Sequence, residues 1–580
     1  MAPPRPQKPA STSSDWLKPA AVVVGLLICL VGTSMFWSGM TQPPGEKPHQ
    51  DFVTGVILMG GALGLIAAAL GWFDSRSPQS SVKTGAYYGT GAALAAVIGL
   101  FIRRYGMHQI GGFDHSVLVD TAWRLYKGQI PYVDFPCTLP AAFILGAKFA
   151  FQWFGANWSA FVDITALFAL GSFAWSIFLL TELFGRQWTT LFYAIALQAI
   201  SLMLVAYWWY NPITAVTSVL YILSAALWLR RPALWSAAAS YGVSLLLMAS
   251  MKPNAAGILI PLVSIVLFLS KPLRWKTLVI SVGALVMFVA LLSINHISFT
   301  GMIKGFLSVA QRGASMEQFL QDLSPVAKRA ALLAAGIVVI PVALALFQGR
   351  KSLRSRPPFI ALIALAAGIY GFITNGEQKL VDMPLVLFGA ILLVAELRCP
   401  NLPASGPAFS MPSGWNRYLT WVCVVLAAGG VAQGIGRDRI KAIGMPLFFE
   451  YNDTRHTLSG GFFQGLHCGD VFDELIREIT AVLHQEESSS IWFGPRMQWS
   501  YAAFNKPSPH NQPAWWHPGV AFAKADEELY FNRFLASRFD VLILFKNDVA
   551  YFSQDEVRRM TEQYNVDQSL PLLTILRLKK

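Results

Sequence analysis

The chain is a succession of apolar runs of membrane-spanning length. A spanning helix needs roughly 20 mostly apolar residues. The sequence holds thirteen such runs: 19–38, 53–73, 85–103, 158–181, 187–208, 210–229, 233–250, 254–270, 276–296, 328–348, 357–374, 379–396 and 417–434. The pair meeting at Trp208–Pro212 has the shortest gap. The stretch Leu139–Phe154 is short and interrupted by Gly and Lys, so it reads as a half-inserted or surface helix. Only 13% of the residues are charged, against about 25% in a soluble domain. A polytopic α-helical membrane protein is therefore expected.

The net charge of +13 does not point to nucleic acid. The basic residues sit in short loops between apolar runs, which suits anionic lipid headgroups and orientation in the bilayer. With the N-terminus inside, the inner loops hold Arg76, Lys83, Arg186, Arg230, Arg231, Lys271, Arg274, Lys276, Arg350, Lys351, Arg354, Arg356, Arg398 and Arg417. Most short outer loops hold a single Lys: Lys47, Lys252 or Lys379. This pattern puts the region around Asp114, the segment Lys304–Lys328 and the C-terminal 145 residues on the outer face.

Three domains follow: a disordered cytoplasmic tail over 1–18, a transmembrane domain over 19–435 and an extracytoplasmic α/β domain over 436–580. The first apolar run lacks a small-residue cleavage site and reads as a retained helix. In the last domain, 470–483 has helical spacing with Asp470 as N-cap, and 556–564 reads as a second helix. Ile491–Phe493, Val541–Phe545 and Leu572–Leu578 read as strands. The five cysteines form no CxxC pair, so neither a zinc site nor a disulfide framework is indicated, and a Cys137–Cys468 bridge is not expected.

Candidate chemistry clusters on the outer face. Asp114 and His115 follow the run 85–103, in what reads as a loop, and Asp134 follows in Gly128-Gln129-Ile130-Pro131-Tyr132-Val133-Asp134. A carboxylate there can take the proton of an attacking hydroxyl, and a second acid can orient the acceptor or hold a divalent cation. Lys252 and Lys379 open outer turns at headgroup depth, where a lysine suits a phosphate; lysines at helix ends also simply snorkel to water. The segment Ser298–Lys328 has the spacing of amphipathic surface helices, either a lid or a loop lying on the bilayer. Trp515 and Trp516 lie in a His-rich aromatic stretch, suited to sugar stacking and still better to packing or an interfacial belt. There is no Walker A loop, GxSxG, HExxH or nucleotide-sugar fingerprint, so an enzyme of this kind would draw its donor from the membrane.

On Asp114, the Gly-x-x-Pro-Tyr-x-Asp segment ending at Asp134, the Lys252-Pro253-Asn254 turn with Pro261, and Lys379 with Pro384, the chain resembles the GT-C superfamily. These are integral-membrane glycosyltransferases that use polyprenyl-phosphate sugars, and they include protein O-mannosyltransferases and bacterial lipid A aminoarabinose transferases. The resemblance covers about residues 85–400. His115 is a departure, since relatives often carry Asp-Glu where this chain has Asp114-His115. The resemblance implies a bacterial inner-membrane enzyme that moves a sugar from a polyprenyl-phosphate donor to an extracytoplasmic lipid, glycan or protein. Asp114 would be the general base, Asp134 a supporting acid, and Lys252 and Lys379 the donor-phosphate contacts. His115, Tyr132, Trp515 and Trp516 are candidate acceptor or metal contacts, with no confident metal or cofactor. The rivals are a transporter or flippase of lipid-linked glycans, for which Asp163 is the one mid-helix charge, and a non-catalytic envelope assembly protein.

Overall fold

The computed structural model describes residues 84–109, 112–309, 358–374, 383–398, 409, 413–436, 456–486, 490–519, 521–546 and 552–579. The runs 19–38, 53–73 and 328–348 lie outside these residues, as does most of Ser298–Lys328.

Three described helices are long and apolar enough to cross a membrane: α4 (Trp158–Phe184), α6 (Tyr210–Arg230) and α9 (Arg274–Ile294). Around them stand α1 (Thr84–Gly106), α5 (Trp188–Ala199), α7 (Trp235–Ser250), α8 (Pro253–Leu269), α11 (Phe359–Thr374), α12 (Met383–Arg398) and α13 (Ser413–Gly436). Helices α2 (Gly112–Tyr126), α3 (Ala141–Phe154) and α10 (Phe299–Val309) complete this part.

Helix α6 is the centre of the bundle, and every residue from Pro212 to Trp228 is buried. Two of its hydroxyls are satisfied locally or by a neighbour: Thr217 donates to the Ile213 carbonyl, and Ser218 to the Met248 sulfur. Helix α9 is the opposite case. Val279, Val282, Leu285, Val286 and Met287 are all more than half exposed. An apolar face of that extent suits lipid rather than water.

The two ends of the bundle differ. At one end Arg231 pairs with Glu182 (2.7 Å), Arg230 lies 3.8 Å from Glu396, and Lys276 donates to the Pro232 carbonyl. This end gathers the basic turns. At the other end, His467 N–H donates to the Met107 carbonyl and Trp158 N–H to the Phe462 carbonyl, which docks the C-terminal part onto α1 and α4. Asp163, read from the sequence as a mid-helix charge, stands in the second turn of α4 and pairs with Arg103 at 2.8 Å.

The run 187–208 is not a single helix. α5 ends at Ala199 after 12 residues, and Ile200–Trp209 continues as buried, non-helical chain. Backbone of that kind survives inside a bundle only when protein satisfies it. Here the Gln109 side chain accepts from Ala206 N–H (2.9 Å), and the Phe161 carbonyl accepts from Trp208 N–H (3.1 Å). Two glycines leave room for the segment. A Cβ on Gly106 would meet the Ala206 carbonyl at 2.2 Å, and one on Gly146 would meet the Trp208 ring at 2.3 Å. Gly106→Ala should therefore force the segment outward at a cost of about 1–3 kcal/mol, read as a lower unfolding temperature in detergent. Unchanged stability would show that the segment yields freely.

The C-terminal part is α/β. β1 (His456–Thr457) pairs with β2 (His467–Cys468). A four-stranded sheet runs in the order β3 (Ile491–Gly494), β4 (Val541–Phe545), β6 (Leu573–Leu578), β5 (Tyr564–Ser569). β3 and β4 are parallel with Ile491 opposite Val541; the other two pairs are antiparallel. Helices α14 (Asp470–Gln485), α15 (Trp499–Ala503), α16 (Glu527–Ala536) and α17 (Gln554–Gln563) accompany it. Gly469, not Asp470, is the N-cap of α14. Phe472, Leu475, Ile479 and Val482 form its buried stripe. Ser553 and Glu556 close a capping box on α17.

Candidate functional site

The site lies at the end of the bundle that carries the α/β part. Asp114 is in the first turn of α2, not in a loop. Its neighbour His115 is buried, with its ring centroid 4.1 Å from Tyr207, 4.9 Å from Trp158 and 6.2 Å from Trp209. All three meet it edge-on, so the imidazole sits in an aromatic box built by α4 and the non-helical segment before α6. Trp158 of the box donates its indole N–H to the Gly106 carbonyl (3.2 Å), and Trp208, between Tyr207 and Trp209, anchors the segment by donating to the Phe143 carbonyl (2.8 Å).

The same aromatic row leads to Lys252. Trp209 lies 4.6 Å from Tyr210, and the Lys252 ammonium stands 5.6 Å from the Tyr210 ring centroid. Its Nζ donates to Asn211 Oδ1 at 3.1 Å. Lys252 is the residue before Pro253 at the N-cap of α8, where Pro pre-sets the first helical turn. An ammonium is thus held over an aromatic ring at the start of a helix, an arrangement that can receive a phosphate. The structure brings Lys252 and the His115 box together through Tyr210 and Trp209. Lys379 lies outside the described residues.

Asp134 and Tyr132 sit in the turn between α2 and α3. Asp134 Oδ2 accepts from Ile130 N–H at 2.7 Å, and the Asp134 carbonyl accepts from Asn511 N–H at 2.7 Å. At least one carboxylate oxygen therefore closes the turn. Tyr132 is in the left-handed region (φ 66°), and its hydroxyl donates to the Leu139 carbonyl. Burial holds its phenol well above the ordinary range, so it stays a neutral donor. Its side chain rests on α10: a Cβ on Gly301 would come within 2.9 Å of it, and one on Gly305 within 3.1 Å. Nearby Cys137 is a free buried thiol, pushed up to about 11 by burial, and Cys468 is free as well.

Trp516 is fully buried among Phe522, Phe531 and Phe552. Trp515 is 7% exposed and packs on His517. Both indoles belong to the packing of the α/β part rather than to a face open to a sugar. Among the described residues no group of three or more His, Cys, Asp or Glu could hold a metal ion.

Sequence reading missed the fastening between the two parts. Asp120 and Arg124, one turn apart on α2, form an ion pair at 2.7 Å with both side chains fully buried. Ser508 donates to Asp120 Oδ1 (2.5 Å), and Arg124 donates to the Pro509 carbonyl (2.7 Å) and to Gln129 Oε1 (3.2 Å). Trp123 Nε1 donates to the Lys506 carbonyl, and Trp499 N–H to Ser116 Oγ. One face of α2 is clamped to the α/β part while its first turn carries Asp114 beside the aromatic box.

No protein-family model matches the chain, and no curated protein matches it in sequence. Among solved structures, it is similar to ArnT from Cupriavidus metallidurans bound to undecaprenyl phosphate, with 12% identity and a TM-score of 0.50, covering 85% of this chain and 98% of that one. ArnT from the same organism in the apo state matches with 12% identity and a TM-score of 0.49, covering 85% of this chain and 97% of that one. At this identity the likeness shows the fold: the chain shares the fold of the undecaprenyl-phosphate-bound ArnT structure.

Proposed function

We propose that the protein is a glycosyltransferase that moves a sugar from a polyprenyl-phosphate-linked donor to an extracytoplasmic acceptor. The observation that carries this reading is the placement of Lys252, held by Asn211 over Tyr210, in one aromatic row with His115 next to Asp114. The fold supports it, since the similar ArnT structure holds undecaprenyl phosphate. In the proposed step an acceptor hydroxyl oxygen attacks the anomeric carbon. The bond from that carbon to the phosphate oxygen breaks, and its electron pair leaves with the polyprenyl phosphate. Asp114 takes the hydroxyl proton. Lys252, with Lys379, balances the charge on the departing phosphate. One base suffices, which favours inversion at the anomeric carbon. Asp134 shapes the loop beside the acceptor, with Tyr132 against α10.

The protein would sit in a bacterial inner membrane with the site and the α/β part outside. The transporter rival loses its one mid-helix charge, because Asp163 is paired near a helix end. The test is transfer of radiolabelled sugar from polyprenyl phosphate to an envelope extract by purified protein. No transfer with any polyprenyl-phosphate sugar would overturn the reading in favour of an assembly role.

Lys252→Met keeps the length of the side chain and removes the charge. A charge-assisted contact is worth roughly 1.5–3 kcal/mol, so the apparent KM for the lipid donor should rise about ten- to hundredfold. Donor titration checks this. Unchanged donor dependence would leave Lys252 as a snorkelling lysine.

A further inference from the structure

A groove separate from the aromatic box opens where the C-terminal end of α2 meets the α/β part. Its cavity volume is about 330 Å³, and Tyr126, Lys127, Trp123, Phe462 and Asn505 line it. That volume is at the lower end of the roughly 300–1,000 Å³ typical of small-molecule sites. Its floor is aromatic: Trp123 and Tyr126 are stacked with centroids 5.7 Å apart, and Tyr126 is 41% exposed. Its rim is polar: the Lys127 ammonium lies 4.4 Å from the Trp123 centroid and donates to Asn505 Oδ1 at 3.3 Å. Asn505 is in the left-handed region (φ 51°), a conformation that Asn tolerates and that presents it at the rim.

We infer that this groove is a carbohydrate subsite, which takes a sugar ring on the Tyr126 face and an anionic substituent at Lys127. The negative face of an aromatic ring attracts the weakly positive C–H edge of a pyranose. The amide and ammonium supply hydrogen bonds to hydroxyls and a carboxylate or phosphate. An acyl chain would gain nothing from the polar rim. The position adds a constraint. Tyr126 is twelve residues along α2 from Asp114, about 18 Å at the helical rise. The helix between them is buried from His115 to Leu125, so the groove would hold a part of an acidic glycan remote from the reacting atoms. The inference rests on the transferase reading for its role, but not for the binding itself.

The experiment measures direct binding of tri-galacturonate, an acidic trisaccharide, and of neutral maltotriose to the full-length protein in nanodiscs by calorimetry, alongside transfer from the lipid donor. The acidic probe should bind more tightly. Tyr126→Ala should weaken it about three- to tenfold, Tyr126→Phe should keep it, and Lys127→Gln should erase the preference for acid over neutral. Binding of neither probe, or binding indifferent to Tyr126→Ala, overturns the subsite. Transfer without such binding leaves the transferase reading standing and the subsite refuted; binding without transfer does the reverse.

Discussion

Asp114→Asn should reduce sugar transfer by about a hundredfold or more while the protein folds normally. A positioned base contributes typically 10²–10⁴-fold, and Asn keeps the shape of the side chain while removing its capacity to take a proton. Asp114 is in the first turn of α2, where Asn is well tolerated. The rest of α2 is held by the buried Asp120–Arg124 clamp, which this substitution does not touch. Asp134→Asn is the informative contrast. The amide oxygen can still accept from Ile130 N–H, so the turn should survive and transfer should fall by less than about tenfold. Initial rates at saturating donor, with expression and elution profile matched to wild type, separate the two. Near-normal activity of Asp114→Asn would remove it from the chemistry.

Much of the bundle was legible because a spanning helix is long and apolar, so α4, α6 and α9 announce themselves by composition alone. Composition cannot say whether an apolar run is helical throughout. What ends α5 at Ala199 is tertiary: the Gln109 side chain and the room left by Gly106 and Gly146 accept non-helical chain between Ile200 and Trp209. The aromatic string Tyr207-Trp208-Trp209-Tyr210 before Pro212 was the visible signal, and it reads equally as a span boundary. The candidate acids stand out by their position after an apolar run, whereas the stretch that holds Asp114 reads as loop and is helix α2. Asp120 and Arg124 have the spacing of a helical ion pair, which could have marked the helix. Their burial could not be read, because Ser508 is 388 residues away along the chain. Trp516 illustrates the converse: its stretch reads better as packing than as a sugar platform, and the fold sets Phe531 and Phe552 against the indole.

Arg124→Met should be the most destabilising single change at the junction, by roughly 3–5 kcal/mol, since it leaves the Asp120 carboxylate buried without its cation. The α/β part should loosen first, because Arg124 also holds the Pro509 carbonyl and Gln129. Proteolysis at the 505–511 loop and a lower unfolding temperature would report it. The pH dependence gives the sign. In the wild type, burial pushes the Asp120 carboxyl above its usual range, while Arg124 and Ser508 oppose that rise. Without Arg124 the opposition weakens, and the folded state retains a proton that the unfolded chain releases near pH 4. A group raised in the folded state contributes stability that is present below its unfolded pKa and lost as pH rises through the folded value. The deficit of Arg124→Met relative to wild type should therefore shrink on acidification and grow toward neutral pH. Asp120→Leu with Arg124→Met removes both charges and should recover much of the loss, as replacement of whole buried pairs by apolar groups often does. A deficit that is independent of pH and is not relieved in the double variant would show that Arg124 acts through its packing on Phe135, 5.0 Å away, rather than through its charge.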